Sequence, residues 1–101
     1  MRIFLLTGVV TALSPGIPKA DRVTFDFVEI TKAAGMRIRL ENISVSVQVA
    51  KIFELDSIGK FYFLGDGPHH YLLGIERADG VQAFDPRDIS LDDLRNFIEG
   101  N

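Results

Sequence analysis

Apolar and polar residues alternate one by one along most of this sequence, which predicts β-strands that are buried on one face and wet on the other. Met36–Leu40 alternates with its apolar residues at even numbers, and Ile43–Val49 alternates with its apolar residues at odd numbers. Val23–Phe27 also alternates, but the phase shifts by one residue at Val28. A shift of this kind within a strand indicates a bulge or a bend between two sheets.

Glu41 and Asn42 lie between the even-numbered and the odd-numbered runs and leave two interpretations open. They form either a tight hairpin turn or a kink in one long strand. Asparagine tolerates a positive φ, which favours a turn, but the glycine expected beside it in a hairpin is missing.

Further strands are predicted on both sides of this region. Ile3–Leu13 is rich in β-branched and bulky residues, and Gly8 in its middle indicates a bulge or a close approach of another backbone. Phe61–Leu64 and Tyr71–Arg77 are the next strands. Asp79-Gly80 is the strongest hairpin pattern in the chain, so the strand after it should return antiparallel.

The last residues predict an amphipathic helix. Ser90 is a good N-cap with Asp93 three residues later, and Gly100 is well placed just beyond the end. One face carries the apolar residues Leu91, Leu94, Phe97 and Ile98. The helix should therefore pack on the sheet or cover one end of a barrel.

Together these elements predict a mainly β (α+β) fold in a single domain, residues 1–101. We expect a small antiparallel β-barrel or sandwich of about seven strands with one C-terminal α-helix packed on it. Pleckstrin-homology-like, oligonucleotide-binding-type and Sm-like barrels share this layout. The sequence contains no motif typical of any of them, so the likeness concerns the fold alone.

Composition excludes several classes of protein. The chain has no cysteine and lacks a run of eighteen apolar residues, which excludes a disulfide scaffold, a thiol enzyme and a transmembrane helix. The apolar stretch from Arg2 to Leu13 could pass for a secretory signal, but we interpret it as a buried strand. We expect a cytoplasmic protein with no membrane partner.

Self-association is the leading functional expectation. A chain of 101 residues with 47% hydrophobic residues cannot hide all its apolar surface, because a domain of this size buries only about two-thirds of its unfolded surface. The excess favours a homo-oligomer, either a dimer or a small ring. Ile43–Val49 and Ile3–Val10 are the candidate edge strands for pairing with a neighbour.

Binding of nucleic acid or another anion is the alternative. Arg37 and Arg39 share the outward face of one strand, and Arg22 and Lys51 are candidates to lie beside them. A net charge of −3, with the acidic residues concentrated in the second half, disfavours nucleic acid as a partner.

The second alternative is a small metal-dependent enzyme. Asp66, His69 and His70 are the densest group of possible metal ligands, but adjacent histidines on a strand point to opposite faces. His70 and Glu76 would share a face on a straight strand and could act as an acid–base pair. We find no nucleophile, zincin or dinucleotide-binding motif, so we expect no cofactor and lean towards a protein that is not an enzyme.

Overall fold

Five strands form a closed barrel, and two short strands lie outside it. The computed structural model describes residues 2–85. Its elements are β1 (Arg2–Leu13), β2 (Ile17–Lys19), β3 (Arg22–Thr31), β4 (Arg37–Ser46), α1 (Val47–Ala50), β5 (Ile58–Asp66), β6 (His69–Arg77) and β7 (Gln82–Phe84).

The barrel runs in the order β1, β5, β6, β4, β3 and back to β1. Every pair is antiparallel except β4 and β6, which are parallel. Outside the barrel, β2 pairs with β3 and β7 with β6. The prediction of a strand-rich domain is confirmed, but an antiparallel barrel of seven strands is wrong. β2 and β7 have three residues each, too few to extend around the barrel. β4 and β6 are parallel because the chain runs back along β5 between them.

β1 is shared between two halves of the barrel, and Gly8 lies where its partner changes. Residues 2–9 pair with β5, whereas Val9–Leu13 pairs with β3. A Cβ on Gly8 would overlap the carbonyl oxygen of Thr31. Gly59, directly opposite Gly8, is held against the carbonyl of Glu76 in the same way. The predicted close approach at Gly8 is confirmed.

β4 is one strand with a kink at Asn42, whose φ is 55°. The register between β3 and β4 is the same on both sides of Asn42. The kink interpretation is therefore correct and the hairpin is wrong. The kink also explains the phase shift at Val28. β3 and β4 bend together, and in each strand the alternation of inward and outward side chains shifts by one residue at the bend.

After the kink, Ile43–Val45 pairs with β6 on one side and with β3 on the other. The prediction that Ile43–Val49 is an edge strand is therefore wrong. Beyond Ser46 the chain turns into α1, with the Ser46 side chain accepting a hydrogen bond from the Val49 amide as N-cap.

The core fills the barrel and continues on part of its outside. The interior is built from aliphatic and aromatic side chains, with Phe53 in edge-to-face contact with both Phe25 and Phe61. A second cluster on the outer face centres on Tyr62 and Leu73. Within residues 2–85 there is no helix long and apolar enough to cross a bilayer. The predicted C-terminal helix, Ser90 to Gly100, lies outside the described residues.

Gly59→Ala should destabilise the barrel strongly, because the new methyl group would meet backbone rather than a movable side chain. We expect a loss of about 2 kcal/mol or more in the free energy of unfolding, measured by urea denaturation. Gly65→Ala is the matched control, since the nearest atom to its Cβ would be 3.5 Å away. That variant should change stability by less than about 1 kcal/mol. Equal stabilities for the two variants would contradict the close approach.

Candidate functional site

The first half of β4 has a free backbone edge, which we call the open edge: the side of Arg37–Glu41 that faces away from β3. Parallel pairing with β6 begins only at Ile43. Within residues 2–85, no strand pairs with the open edge. Unpaired amides and carbonyls on a strand edge are a template for another strand.

The hydrogen-bond pattern shows which residues present their backbone at the open edge. The Lys32 amide donates to the Met36 carbonyl at 2.8 Å, which makes the even-numbered residues of β4 the ones bonded to β3. Arg37, Arg39 and Glu41 therefore point their amides and carbonyls outward. In agreement, the Glu41 carbonyl accepts a hydrogen bond from the side chain of His70.

Two side chains fix the end of the open edge beside the β5–β6 hairpin. His70 Nδ1 lies 2.7 Å from the carbonyl oxygen of Glu41, which can only accept, so Nδ1 carries the proton. Asn42 Nδ2 donates to the carbonyl of Pro68 at 3.2 Å. These contacts hold the kink and limit the edge to five residues.

An apolar groove, which we call the mouth, lies where the barrel opens beside the open edge. Its volume is about 440 Å³. Ile38 and Leu40 reach it from β4, and Phe4 and Leu6 reach it from β1. His70 lies at the mouth in edge-to-face contact with Phe4. A strand along the open edge would therefore meet apolar side chains on its inward face.

On the outer face, Arg39 is stacked on Phe27, with its guanidinium carbon 4.1 Å from the ring centroid. Glu29 is the direct cross-strand partner of Arg39. Glu41 follows two residues later on the same face of β4. The two arginines predicted as an anion-binding stripe thus share their surface with two carboxylates.

The other two members of the predicted stripe lie elsewhere. Arg22 donates to Ser44 at 2.6 Å and pairs with Asp85 at 3.4 Å, and it lies over the ring of Tyr71. Its side chain is 24% exposed and that of Asp85 only 1%. Lys51 is exposed at the end of α1. The structure therefore gives Arg22 a structural role and does not place the four residues in one row.

Asp66 and His69 are cross-strand partners at the tip of the β5–β6 hairpin, whereas His70 lies at the mouth. In the part of the chain from 2 to 85, no three possible metal ligands come together. The expected shared face of His70 and Glu76 is wrong, because the register between β5 and β6 shifts at Tyr62/Phe63. Glu76 instead accepts a hydrogen bond from the Tyr62 hydroxyl on the outer face.

A second and larger cavity, of about 590 Å³, lies on the outer face between the β3–β4 turn and the end of β6. Lys32 and Lys60 lie in its lining, together with Val9 and Ile58. Sequence reasoning missed this group, because its members are far apart along the chain. The adjacent Gly59-Lys60 was the available clue, since a glycine within a strand marks a close approach.

Comparison with known proteins finds no family model, no curated protein and no solved structure that matches this chain. Function is therefore inferred from the geometry of the open edge, the mouth and the larger cavity.

Arg22→Met should lower the free energy of unfolding by about 1 kcal/mol or more, because it removes the guanidinium that pairs with the buried Asp85 carboxylate and donates to Ser44. Lys51→Met removes the same charge at an exposed position and should have an effect within about 0.5 kcal/mol. Thermal and urea unfolding of both variants measure the difference. A neutral Arg22→Met variant would show that Arg22 has no structural role.

Proposed function

We propose that this protein is a non-enzymatic interaction module whose partner is a second copy of the same chain. Two open edges pair antiparallel and join two barrels through one continuous sheet. The observation that carries the proposal is the outward direction of the Arg37 and Arg39 backbone groups. Addition of a strand to a free edge is a common mode of protein recognition.

The kink and the two faces of the strand select one register. Pairing cannot extend past Asn42, where the strand bends and β6 takes over. Residues that point inward must also lie opposite inward residues of the other copy, since a shift of the register by one residue would place an arginine opposite a leucine. The register that uses all five residues has its two-fold axis at Arg39.

In this register the edge is complementary to itself. Arg37 of each copy faces Glu41 of the other, which pairs opposite charges twice. Ile38 faces Leu40 of the other copy on the inward side. Arg39 exchanges two hydrogen bonds with its copy, and the Glu41 amide of each copy donates to the Arg37 carbonyl of the other, which gives about four, because the Glu41 carbonyls already accept from His70. A two-fold contact uses the edge once, so assembly stops at a dimer.

The apolar side of the edge supports the same arrangement. Natural edge strands are often protected by a charged residue that points inward, but Ile38 and Leu40 are both apolar and only half-buried. Met36, on the same face just before the edge, is 57% exposed. Pairing would cover these side chains and the adjoining mouth.

The central contact between Arg39 and its copy sets like charges opposite each other. Each guanidinium is stacked on Phe27 and lies opposite Glu29, so its charge is partly compensated before association. The short edge and this contact together predict a modest affinity, on the order of micromolar.

Arg39→Pro should abolish the dimer and leave the barrel folded. The Arg39 amide points away from β3, so proline removes a donor from the interface only, and edge positions of this kind tolerate proline. Size-exclusion chromatography with light scattering should give about twice 11.2 kDa for the natural chain and 11.2 kDa for the variant. Circular dichroism checks that the variant folds. A natural chain that remains at 11.2 kDa well above micromolar concentration would refute the proposal.

A single engineered cysteine tests the register, because the chain contains no cysteine of its own. Arg39→Cys places two cysteines opposite each other at the two-fold axis, where the Cα separation of about 5.5 Å suits a disulfide. Oxidation should therefore give a covalent dimer. Arg37→Cys, the matched control, lies roughly 13 Å from its copy and should not cross-link. Efficient linking at position 37 instead would exclude this register.

Binding of single-stranded nucleic acid on the outer face of β3 and β4 is a second candidate. The strand connectivity resembles that of oligonucleotide-binding-type barrels, and Arg39 on Phe27 offers a stacking surface. Glu29 and Glu41 on the same face weaken this candidate. Salt-dependent retention of RNA or DNA on a filter would support it, and no retention at low salt would remove it.

A further inference from the structure

We infer that the larger cavity on the outer face of the barrel is a binding site for a small amphipathic carboxylate, such as a medium-chain acyl carboxylate. The site is distinct from the open edge and shares no residue with the mouth. Its volume of about 590 Å³ lies within the range typical of small-molecule sites.

The cavity is formed where three parts of the barrel meet. Gly8 and Gly59 face each other across β1 and β5 and allow the backbones of β3 and β6 to approach closely. The turn that contains Lys32 and Ala33 borders the cavity on one side, and the end of β6 borders it on the other. The lining is therefore built mainly on paired strands and is preformed.

The walls are suited to an apolar ligand body. Val9, Ala33, Ile58 and Ala78 line the cavity. Ile58, the first residue of β5, is 57% exposed. A hydrocarbon chain or ring seated here would cover it, and burial of such a side chain is favourable. None of the lining residues is aromatic, which disfavours a stacked base.

The charges in the lining favour an anionic head group. The ammonium groups of Lys32 and Lys60 make no hydrogen bond or ion pair within residues 2–85, so both can reach a ligand, although Lys60 lies directly across from Glu76. Glu76 is the only carboxylate among the lining residues of the described chain, and it accepts the Tyr62 hydroxyl. The lining is thus cationic in a chain whose net charge is −3.

Arg77, the third cation of the lining, is already engaged. It pairs with Asp79 and with Glu54, and the hydrogen bond to Asp79 raises the pKa of the guanidinium further. The same bond lowers the pKa of the Asp79 carboxyl. Arg77 is therefore already paired with two carboxylates, which leaves the two lysines to bind the head group.

Decanoate and decyltrimethylammonium form a matched pair of probes with the same tail and opposite head charge. Titration of the ¹⁵N-labelled full chain, below the micelle concentration of each probe, should shift the amide signals of Gly8, Ile58, Gly59 and Ala78 with decanoate. Lys32→Glu/Lys60→Glu should bind decanoate at least about tenfold more weakly. Lys51→Glu, an exposed change of the same kind outside the cavity, should bind it normally.

Several results would overturn the inference. They are absent shifts with decanoate, equal affinity for the two probes, shifts centred on Phe4 and His70 at the mouth, or full affinity in the double lysine variant. The same titration on Arg39→Pro separates this site from the proposed dimer. That variant keeps the cavity, so it should bind decanoate whether or not the natural chain associates.

Discussion

In this barrel of five strands, β1 and β4 each pair with one of their neighbours over only part of their length, and the rest of the structure depends on that arrangement. β1 changes from β5 to β3 near Gly8, and β4 gains β6 after Asn42. The first change requires a residue without a side chain, because two backbones approach there. The second requires a residue that tolerates a φ of 55°. Both candidate sites lie beside these two positions.

The proposed sites follow from how the strands separate. β4 has no second partner before its kink, so the open edge and the mouth lie on that side of Asn42. The close packing at Gly8 and Gly59 places the β3–β4 turn near the end of β6, and the larger cavity lies between them. The closure of the barrel thus leaves two separate surfaces, one that we propose binds a strand and one that we propose binds a small molecule.

Period-two alternation predicted most strands and a bulge or bend at Val28, and the Asp79-Gly80 dipeptide predicted the hairpin, because these depend on local backbone preference and on which face is buried. The alternation could not predict which strands lie side by side in the barrel. Ile43–Val45 was predicted to be part of an edge strand, yet strands flank it on both sides. Val47–Ala50 continues the alternation but forms a helix, because its Val49 packs into the barrel interior. Tertiary contacts override the local pattern there.

The candidate sites were harder to predict, because charge in a sequence does not show what lies across from it. In the sequence Arg22 and Arg37 are equivalent candidates for anion binding, but in the structure Arg22 is paired with Asp85. Arg37–Glu41, by contrast, has a sequence that is complementary to itself. It has opposite charges at its ends and apolar residues at symmetric positions around Arg39. Antiparallel pairing of two copies sets unlike charges together, whereas parallel pairing would set Arg37 against Arg37 and Glu41 against Glu41. The same five residues therefore favour a closed pair and oppose stacking of edges in one direction.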